Sequence, residues 1–381
     1  MPYVLVFNIG SSTNKLSLFS VERDTVNSKA VWESSQDLKG RDRETVLNEQ
    51  LADLDQRVPL KDVSMVGHRV VHGGRKFRQS TLITEEVVAE IERLCELAPL
   101  HNPAGLAGIR LARRRLPDCP QIAVFDTAAY AELPPERAIY ALPYSWYEEH
   151  GIQRYGFHGI NHEYVAQRAA AILGTANLRT VSCHLGNGCS VTGLIDNRSV
   201  YTSMGYTPLE GLAMGTRSGS VDPGILVYAL NSGLVSQKDL DDVLNKKSGL
   251  LGISGKSNDM RTLLDLADQG DERSRLAIDI FIYRLGCEIG AAVATMNGAD
   301  ALIFTGGIGE NATAIRKQMC DRLSFLGLAL DKEINRSTRH DGVVSSPASR
   351  IKVLVINAQE NMAIANQCLQ VMASQTRPHS I

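Results

Sequence analysis

The sequence lacks any run of eighteen apolar residues without a charge or a glycine, which excludes a membrane-spanning helix of ordinary length. It also has little net charge, −2, so bulk electrostatics favour neither nucleic acid nor an anionic membrane as a partner. Its seven cysteines form no Cys-x-x-Cys pair, and a disulfide framework is not expected. No basic leader precedes the apolar run Tyr3–Phe7. These absences predict a cytoplasmic protein with buried, reduced thiols.

What is present is an ordinary globular composition in a long chain. Hydrophobic residues make up 44% of the 381 residues, as in many α/β proteins. A single core rarely organises so many residues, so two domains are the natural expectation.

The stretch from Thr180 to Asp222 is the most informative one. Two strand-like runs, 180–183 and 190–195, flank the sequence Leu-Gly-Asn-Gly at 185–188, which indicates a hairpin. About twenty residues rich in glycine, serine, threonine and methionine follow, with Arg217 as their one arginine. Loops of this length inside a domain are usually functional or disordered. The few charges and the glycine turns favour a shaped loop that wraps phosphate with backbone N–H groups and one cation.

A similar polar glycine turn occurs near the N-terminus. Gly10 lies between two strand-like runs, 3–7 and 16–21, and aligning it with Gly186 places Asn8 opposite His184. Either turn alone would be an ordinary hairpin. The pair predicts two similar domains that face each other across a cleft and offer small-residue turns to one ligand.

Two further strands carry charged residues. Arg69 and two histidines lie on the apolar run 65–72, and an arginine on a buried strand needs an anionic partner, which could be a structural carboxylate or a ligand. Asp126 follows the strand 121–125, at a position where ligand sites of α/β sheets gather, but it could also cap the next helix. The residue spacing leaves these alternatives open.

Histidine and glycine motifs in the second half suggest other sites. His158 and His162 are four residues apart and could bind a metal, but no third ligand is apparent, and one histidine aimed into a cleft is the preferred interpretation. Gly255-Lys256-Ser257 resembles the end of a P-loop, yet its earlier glycine and its preceding strand are missing, so we reject that interpretation.

A strand at 301–305 leads into the glycine turn 306–309, and a helix is predicted from Ala312. The spacing Gly307-x-Gly309-x-x-Ala312 matches a dinucleotide fingerprint in form and, more generally, a nucleotide held at a helix N-terminus. A long helix over 272–298 is apolar nearly all round and is expected to be buried. Glu360 opens the last helix, either as a cap or as a Mg²⁺ ligand.

Together these segments resemble one enzyme family. NIGSSTNKLSLF, GHRVVHGG, APLHNP, VFDTAAY, YGFHG, CHLGNGCS, MGYTPLEGLAMGTRSG, SGLLGISGKSNDMR and FTGGIGEN occur in this order and are similar to the acetate kinase family, across essentially the whole chain. The resemblance implies membership of the actin, sugar-kinase and Hsp70 ATPase superfamily. It implies two ribonuclease-H-like α/β domains, a duplicated βββαβαβα unit, around a nucleotide cleft. Residues 1–150 plus 360–381 would form the acetate-side domain and residues 151–359 the nucleotide-binding domain.

The resemblance also implies roles for individual residues. The phosphoryl group would be surrounded by Asp126, His158 and Arg217, the catalytic residues. Acetate would be bound by Arg69, Val71, Leu100, Phe157 and Pro208. ATP would contact Ser11, Ser12, Lys15, His184, Leu185, Gly186, Asn187, Gly188, Asp259, Met260, Arg261, Gly307, Ile308, Gly309, Glu310 and Asn311. Mg²⁺, with Mn²⁺ as an alternative, would be held by Asn8 and Glu360.

The implied reaction is the reversible, Mg²⁺-dependent transfer of the γ-phosphoryl group of ATP to acetate in a homodimer, with propionate or butyrate kinase as the nearest alternative. The chain departs from the family at Thr13-Asn14, at Ser220 and at 357–359, and the last two bear on the metal shell. The same fold serves chaperones and filaments, but no residues remain for a peptide-binding extension. The alternative interpretation, a nicotinamide-dependent enzyme, depends on the glycine spacing near residue 307 alone.

Overall fold

The computed structural model describes residues 2–10, 12–99 and 101–376, and these divide into two compact units. Unit 1 consists of residues 1–132, 159–161 and 359–381, and unit 2 of residues 133–158 and 162–358. Each unit is built around one mixed β-sheet. None of the helices in the described ranges has the length and apolar character needed to cross a bilayer.

Unit 1 contains seven strands and four helices of more than one turn among its described residues. They are β1 Tyr3–Ile9, β2 Thr13–Glu22, β3 Thr25–Val26, β4 Trp32–Asp37, α1 Arg43–Arg57, β5 Val63–Val70, β6 Thr81–Leu82, α2 Glu85–Arg93, α3 Asn102–Arg115, β7 Gln121–Phe125 and the last helix, Glu360–Thr376. The strand order is β3-β2-β1-β5-β7-β6, and β4 also pairs with β2.

Unit 2 holds the other elements. They are α4 Pro135–Ala138, α5 Tyr144–His150, α6 Gly159–Leu173 (whose first three residues belong to unit 1), β8 Arg179–Leu185, β9 Cys189–Ile195, β10 Arg198–Thr202, α7 Pro223–Asn231, α8 Gln237–Lys246, α9 Gly249–Ser254, α10 Met260–Asp268, α11 Glu272–Thr295, β11 Ala301–Thr305, α12 Gly306–Asn311, α13 Thr313–Arg322, α14 Lys332–Ser337, β12 Gly342–Val343 and β13 Lys352–Val355. The last helix of the chain is therefore α15.

The two sheets share one topology. In unit 1, β1 pairs antiparallel with β2, β2 pairs antiparallel with β4, and β5 and β7 continue in parallel beside β1. In unit 2, β8 pairs antiparallel with β9, β9 pairs antiparallel with β10, and β11 and β13 continue in parallel beside β8. A short antiparallel strand closes each sheet, β6 on β7 and β12 on β13. This confirms the predicted duplication.

Apolar strands and amphipathic helices form the two cores. In unit 1, Leu5, Phe7 and Val66 of the sheet pack with Leu47 and Leu51 of α1. In unit 2, Val165 and Ala169 of α6 pack against Ile303 of β11 and Leu354 of β13. Since burying each such side chain contributes about 1.5–3 kcal/mol, the strands that carry the polar turns are firmly held.

The predicted hairpin of unit 2 is confirmed. Strands β8 and β9 pair in register up to Leu185 and Cys189, so residues 186–188 form the turn between them. Asp196 and Asn197, which connect β9 to β10, both have positive φ angles, 51° and 64°, as a tight two-residue hairpin turn requires. The loop over 203–222 contains no helix or strand, yet Met204, Leu212 and Met214 are fully buried in it. It is a shaped loop, as predicted.

Two predictions about helices were wrong in detail. The helix expected from Ala312 begins at Gly306, because Gly306 adopts a φ of 76° and starts α12 directly at the strand end; Ala312 then separates α12 from α13. Helix α11 is buried on one face only, and Leu276 and Tyr283 are half exposed.

The cysteine prediction was also only partly right. All seven are free thiols, but Cys287 is exposed on α11, and Cys95 and Cys119 are half-buried.

Candidate active site

A pocket of about 420 Å³ in unit 2 brings together three of the predicted nucleotide segments. It is lined by Gly186, Asn187, Asn258, Asp259, Met260, Arg261, Gly307, Ile308, Asn311 and Ala312. The segments come from the β8–β9 turn, the start of α10 and helix α12. Asn258, which the sequence analysis did not select, donates a hydrogen bond to the side-chain oxygen of Asn187 (3.2 Å) and so links two walls.

Glycine is needed where helix α12 meets strand β8. A side chain at Gly306 would place its Cβ 2.8 Å from the carbonyl oxygen of Leu185, which is too close. The carboxylate of Glu310 turns back and accepts hydrogen bonds from the Gly306 N–H (2.9 Å) and the Ala358 N–H (2.9 Å). Glu310 therefore caps its own helix, and its side chain is occupied by the protein itself.

Arg217 and His158 meet at the β8–β9 turn. A Cβ atom added to Gly188 would lie 3.4 Å from Nη1 of Arg217 and 3.4 Å from both Cε1 and Nε2 of His158. A Cβ atom at position 188 would be in van der Waals contact with both groups, and a larger side chain would occupy the space between them, so glycine leaves this corner accessible to a small anion. Gly188 also closes the turn by accepting a hydrogen bond from the N–H of Gly186 (3.0 Å).

Arg217 is a cation without a counter-charge. Its Nη1 donates to the carbonyl oxygen of Pro208 (3.3 Å), and among the described residues no carboxylate lies within ion-pair distance of it. Burial lowers the pKa of Arg217, although the guanidinium remains charged at neutral pH. A partly buried cation that lacks an anion within the protein is suited to bind one from solution.

His158 sits in a strained backbone position. It precedes α6 with φ 57° and ψ 20°, the left-handed region that costs a residue with a Cβ atom on the order of 1 kcal/mol or more. Its ring stacks on that of His184, with 4.3 Å between the ring centroids. Such strain is typical of residues that the surrounding structure holds for a function.

Serine hydroxyls hold the histidines of this site. Nδ1 of His158 is 2.8 Å from Oγ of Ser190, and the same oxygen is 2.7 Å from Nε2 of His162. Nδ1 of His162 is in turn 2.8 Å from Oγ of Ser182. Both ring nitrogens of His162 are thus used within the protein, and no cluster of three or more potential metal ligands of the His, Cys, Asp and Glu types occurs in the described part of the chain. In this arrangement neither ring nitrogen of His162 is left for a metal.

In unit 1 the structure unites Arg69 and Asp126. Strands β5 and β7 are neighbours, and Asp126 accepts hydrogen bonds from Nε (3.1 Å) and Nη2 (2.6 Å) of Arg69. Burial raises the pKa of Asp126, and the charge of Arg69 opposes this increase. Burial disfavours the charge of Arg69, but Asp126 and Glu360 outweigh it, so the pKa of Arg69 lies above its usual value. Because Nε and Nη2 both donate to the same oxygen, Oδ2, the pair holds this edge of the guanidinium group toward Asp126.

Asn8 connects this pair to Glu360. Its side-chain oxygen accepts a hydrogen bond from Nη1 of Arg69 (3.3 Å), and its nitrogen donates to Glu360 (3.1 Å) and to Asn361 (2.9 Å). Asn361 donates in turn to Ser17 (2.7 Å). Asn8 thereby holds the Glu360 carboxylate close to the Arg69–Asp126 pair.

The remaining predicted residues lie as follows. Val71 and Phe157 are buried and Pro208 is half-buried. In unit 1, Ser12 is exposed in the β1–β2 turn and Lys15 is exposed on β2. The predictions for Ser11 and Leu100 fall outside the described residues.

The sequence analysis missed Ser182, Ser190, Asn258 and Asn361. The four-residue spacing of His158 and His162 was the one available signal for the serine network, because it places both rings on one side of a helix.

Comparison with known proteins identifies the family of the chain. The model of the acetokinase family matches residues 3–366. A curated acetate kinase from Synechococcus sp. is 46% identical over 400 residues, covering 97% of this chain and 99% of the relative.

Solved structures show the same likeness. The acetate kinase of Porphyromonas gingivalis superposes with a TM-score of 0.89 at 36% identity, covering 98% of this chain and 100% of that one. A propionate kinase from Francisella tularensis superposes with a TM-score of 0.88 at 39% identity, covering 96% and 99%. A family match over nearly the whole chain, together with relatives of this similarity, shows that the protein belongs to the acetokinase family.

Proposed function

We propose that the protein catalyses the reversible transfer of the γ-phosphoryl group of ATP to acetate, which yields acetyl phosphate and ADP. Membership of the acetokinase family supports the reaction class. The observation that carries the proposal is the meeting of Arg217 and His158 at Gly188, where a guanidinium without a counter-charge faces the glycine turn.

The reaction requires that two anions, acetate and the γ-phosphoryl group of ATP, be positioned next to each other and that their charge be neutralised. An acetate carboxylate is already ionised at neutral pH, so the enzyme removes no proton from its acceptor. A carboxylate oxygen attacks the γ-phosphorus directly, and the bond from that phosphorus to the bridging oxygen of ADP breaks. The negative charge spreads over the three equatorial oxygens, where Arg217 and His158 donate hydrogen bonds. No phosphorylated enzyme intermediate is needed.

Asp126 acts as an orienting group in this proposal. It already accepts two hydrogen bonds from Arg69 and another from the backbone N–H of Ile160. Its Oδ2 oxygen is therefore committed to holding the arginine. Arg69 then binds the acetate carboxylate, and its planar guanidinium suits two parallel hydrogen bonds.

ATP occupies the pocket of unit 2. Residues 259–261 and 307–311 hold the adenosine, and the turn from His184 to Gly188 holds the phosphates with backbone N–H groups. Because the Glu310 side chain caps helix α12, its part in nucleotide binding is to shape the pocket. Ser11, Ser12 and Lys15 contribute to phosphate binding from unit 1.

The donor set of unit 1 fits a magnesium ion. Mg²⁺ in kinases is commonly held by one or two carboxylates, water and the phosphates of the substrate, and Glu360 supplies such a carboxylate. Asn8 now presents its nitrogen to Glu360, so it would turn its amide to offer oxygen to the metal. Asn8 and Glu360 would hold the ion, which supplies positive charge to the ATP phosphates. Mn²⁺ would suit the same oxygen ligands.

The acyl chain of the substrate is limited by Val71, Leu100, Phe157 and Pro208. The propionate kinase among the similar structures makes propionate the specific alternative. One methylene changes discrimination by only ~1–3 kcal/mol, or roughly 10- to 200-fold. We therefore expect propionate to be a poorer substrate and butyrate poorer still.

The test is an acyl-phosphate assay, by hydroxamate formation, with ATP, Mg²⁺ and acetate, propionate or butyrate. The proposal expects the highest kcat/KM for acetate and a strongly raised acetate KM in Arg69→Ala. A preference for propionate would make the protein a propionate kinase, and no acyl phosphate with any acid would refute the proposal. ADP release without an acceptor would point to an ATPase of another kind.

We further propose that the protein is a cytoplasmic homodimer. Several large apolar side chains of unit 2 are more than half exposed, and four of them lie together in the chain: Ile225, Val227 and Tyr228 on α7 and Leu234 just after it. Apolar groups gathered on one helix commonly mark an interface. In the same proposal residues 1–150 plus 360–381 form the acetate-side domain and residues 151–359 the nucleotide-binding domain.

A further inference from the structure

A chain of four polar side chains runs behind the proposed phosphoryl site. Ser182, Ser190 and His184 lie on one face of the β8–β9 hairpin, because Ser190 pairs with His184 and Ser182 is two residues from His184 on the same strand. His158 and His162, one helical turn apart, face them from the start of α6. The links are Ser182–His162 (2.8 Å), His162–Ser190 (2.7 Å) and Ser190–His158 (2.8 Å).

Each of these three hydrogen bonds needs one donor proton, and each side chain in the chain can donate only one. A serine hydroxyl donates one hydrogen bond, and a neutral imidazole donates from one nitrogen and accepts at the other. His162 is fully buried, and burial lowers its pKa well below the usual value, so it is neutral. If Ser190 donates its one proton to His158, it can only accept from His162, so the direction of that bond determines the directions of the other two.

The substrate selects the direction. Phosphoryl oxygens only accept hydrogen bonds, so Nε2 of His158, at the edge that faces Gly188, must carry a proton. In a neutral imidazole, a proton on Nε2 leaves Nδ1 as a hydrogen-bond acceptor. Ser190 must then donate to Nδ1 of His158 and accept from Nε2–H of His162, whose Nδ1 accepts from Ser182.

We propose that Ser190 and His162, backed by Ser182, are positioning residues that hold His158 in the tautomer with its proton on Nε2, the form that can donate to the transferred phosphoryl group. None of them touches the substrate in this proposal. The inference rests on the proposed function for its purpose. The tautomer itself is a property of the protein without substrates.

The test measures tautomer and activity separately. In protein labelled with ¹⁵N-histidine and free of substrates, the His158 ring, assigned by comparison with His158→Asn, is expected to show a protonated Nε2 and a bare Nδ1. Ser190→Ala removes the donor to Nδ1, so the His158 signals should move toward a mixture of tautomers. We expect kcat to fall about 10- to 100-fold, as when other orienting partners are removed, with the KM values for ATP and acetate changed much less.

Ser182→Ala is the decisive second variant. Ser182 is not hydrogen-bonded to His158 in the relay, yet its loss should shift the His158 signals in the same direction, a result that a merely structural serine would not give. The matched control is Ser199→Ala, which removes a buried hydroxyl that has no hydrogen-bond partner among the described residues. It should leave the His158 spectrum and kcat unchanged.

Two results would overturn the inference: a proton on Nδ1 of His158 in the unmodified protein, or His158 signals that both alanine variants leave unchanged. If Ser190→Ala does not fold, Ser182→Ala alone decides. If the protein phosphorylates no carboxylate but the spectra behave as expected, the proposed function fails and the tautomer relay stands.

Discussion

At the scale of single residues, the two arginines of the proposed site differ in their partners. Arg69 is paired with a carboxylate and held in place by it, whereas Arg217 bonds only to a backbone carbonyl among the described residues. A paired guanidinium keeps its place when the site is empty. A guanidinium without a counter-charge has the larger increase in electrostatic interaction energy when negative charge develops beside it. Arg217 is therefore the better candidate for stabilising the transition state.

Replacing Arg217 should therefore affect the chemical step. We expect Arg217→Ala to lower kcat by about 10³-fold or more, as other transition-state arginines do, with a modest change in the KM for ATP. Arg217→Lys should recover little, because a lysine lacks the planar fork. Steady-state kinetics of both reaction directions provide the measurement. Arg198→Ala, which removes an exposed arginine from β10 of the same unit, is the control. A normal kcat in Arg217→Ala would remove the arginine from the mechanism.

The sequence alone could predict these residues but not their partners. Arg69 needed an anion by its position on a buried strand, yet whether that anion was a ligand or a carboxylate depended on β5 and β7 lying side by side. Asp126 is 57 residues away along the chain, and local spacing carries no information about it. Ser190 was invisible for the same reason, since its role arises only when α6 packs on the hairpin.

At the scale of elements, the start of helix α6 is set by close packing. A Cβ atom on Gly159 would lie 2.6 Å from Cβ of Ala129 and even closer to the carbonyl oxygen of Asp126. The helix can approach that backbone only because residue 159 has no side chain. His158 immediately precedes Gly159 in the chain, so a displacement of Gly159 would also displace the backbone of His158.

We expect Gly159→Ala to destabilise the protein by about 1–3 kcal/mol through overpacking, and to lower kcat because the start of α6 is displaced. Thermal unfolding and steady-state kinetics together measure the two effects. Gly290→Ala is the control, because a Cβ there meets no atom within 4 Å and glycine in a helix interior is unfavourable by roughly 0.5–1 kcal/mol relative to alanine. A fully active, equally stable Gly159→Ala protein would contradict the packing argument.

Strand β5 makes unit 1 sensitive to acid. Burial lowers the pKa of His68 to about 4, and Nδ1 of its ring has no hydrogen-bond partner within the described ranges. Burial also lowers the pKa of His72 to about 4. An unfolded histidine takes up a proton near pH 6.5, whereas these folded ones resist it until about pH 4. The two neutral histidines therefore contribute fully to the free energy of unfolding above pH 6.5, and this contribution is lost as the pH falls toward 4.

The loss contributed by His68 should be on the order of 3 kcal/mol over that range. Urea unfolding midpoints between pH 7 and pH 4.5 measure it, with unit 1 followed by its own probe since two units need not unfold together. In His68→Gln, which can still bond to Gln121, the dependence on pH should be shallower. The same steep dependence in that variant would assign the acid sensitivity to other groups.

Element types were well predicted from the sequence, and element ends were not. Alternating apolar residues and the Asn-Gly turn were sufficient for the β8–β9 hairpin. The start of α12 was missed because glycines usually signal a loop, whereas Gly306 here uses its positive φ to turn the strand directly into a helix. The Glu310 carboxylate that caps this helix is four residues further on, and its bond to Ala358 depends on the tertiary fold.

At the scale of the whole molecule, the exposed apolar side chains of α7 are the feature most in need of a partner. Packing of α7 against α7 of a second copy of the chain would remove these apolar side chains from water. We expect Tyr228→Glu to convert a dimer into a monomer in sedimentation velocity, since a charge in an apolar interface is unfavourable. Phe325→Glu changes an equally exposed apolar residue elsewhere in unit 2 and should not alter the mass. An unmodified protein that sediments as a monomer would refute the homodimer.

Helix α15 lies at the far end of the chain from the strands it covers. A Cβ on Gly67 of β5 would be 2.6 Å from Sγ of Cys368 and 2.8 Å from Ile364, so this helix presses directly on the first sheet. A ribosome makes that sheet first and its cover last, after all of unit 2. Strands β1 and β5 therefore leave the exit tunnel long before α15 is synthesised. Unit 2 can fold before α15 covers these strands. Nascent chains stalled before residue 360 would expose the apolar face of β1 and β5. We expect chaperones to bind this face until α15 has been synthesised.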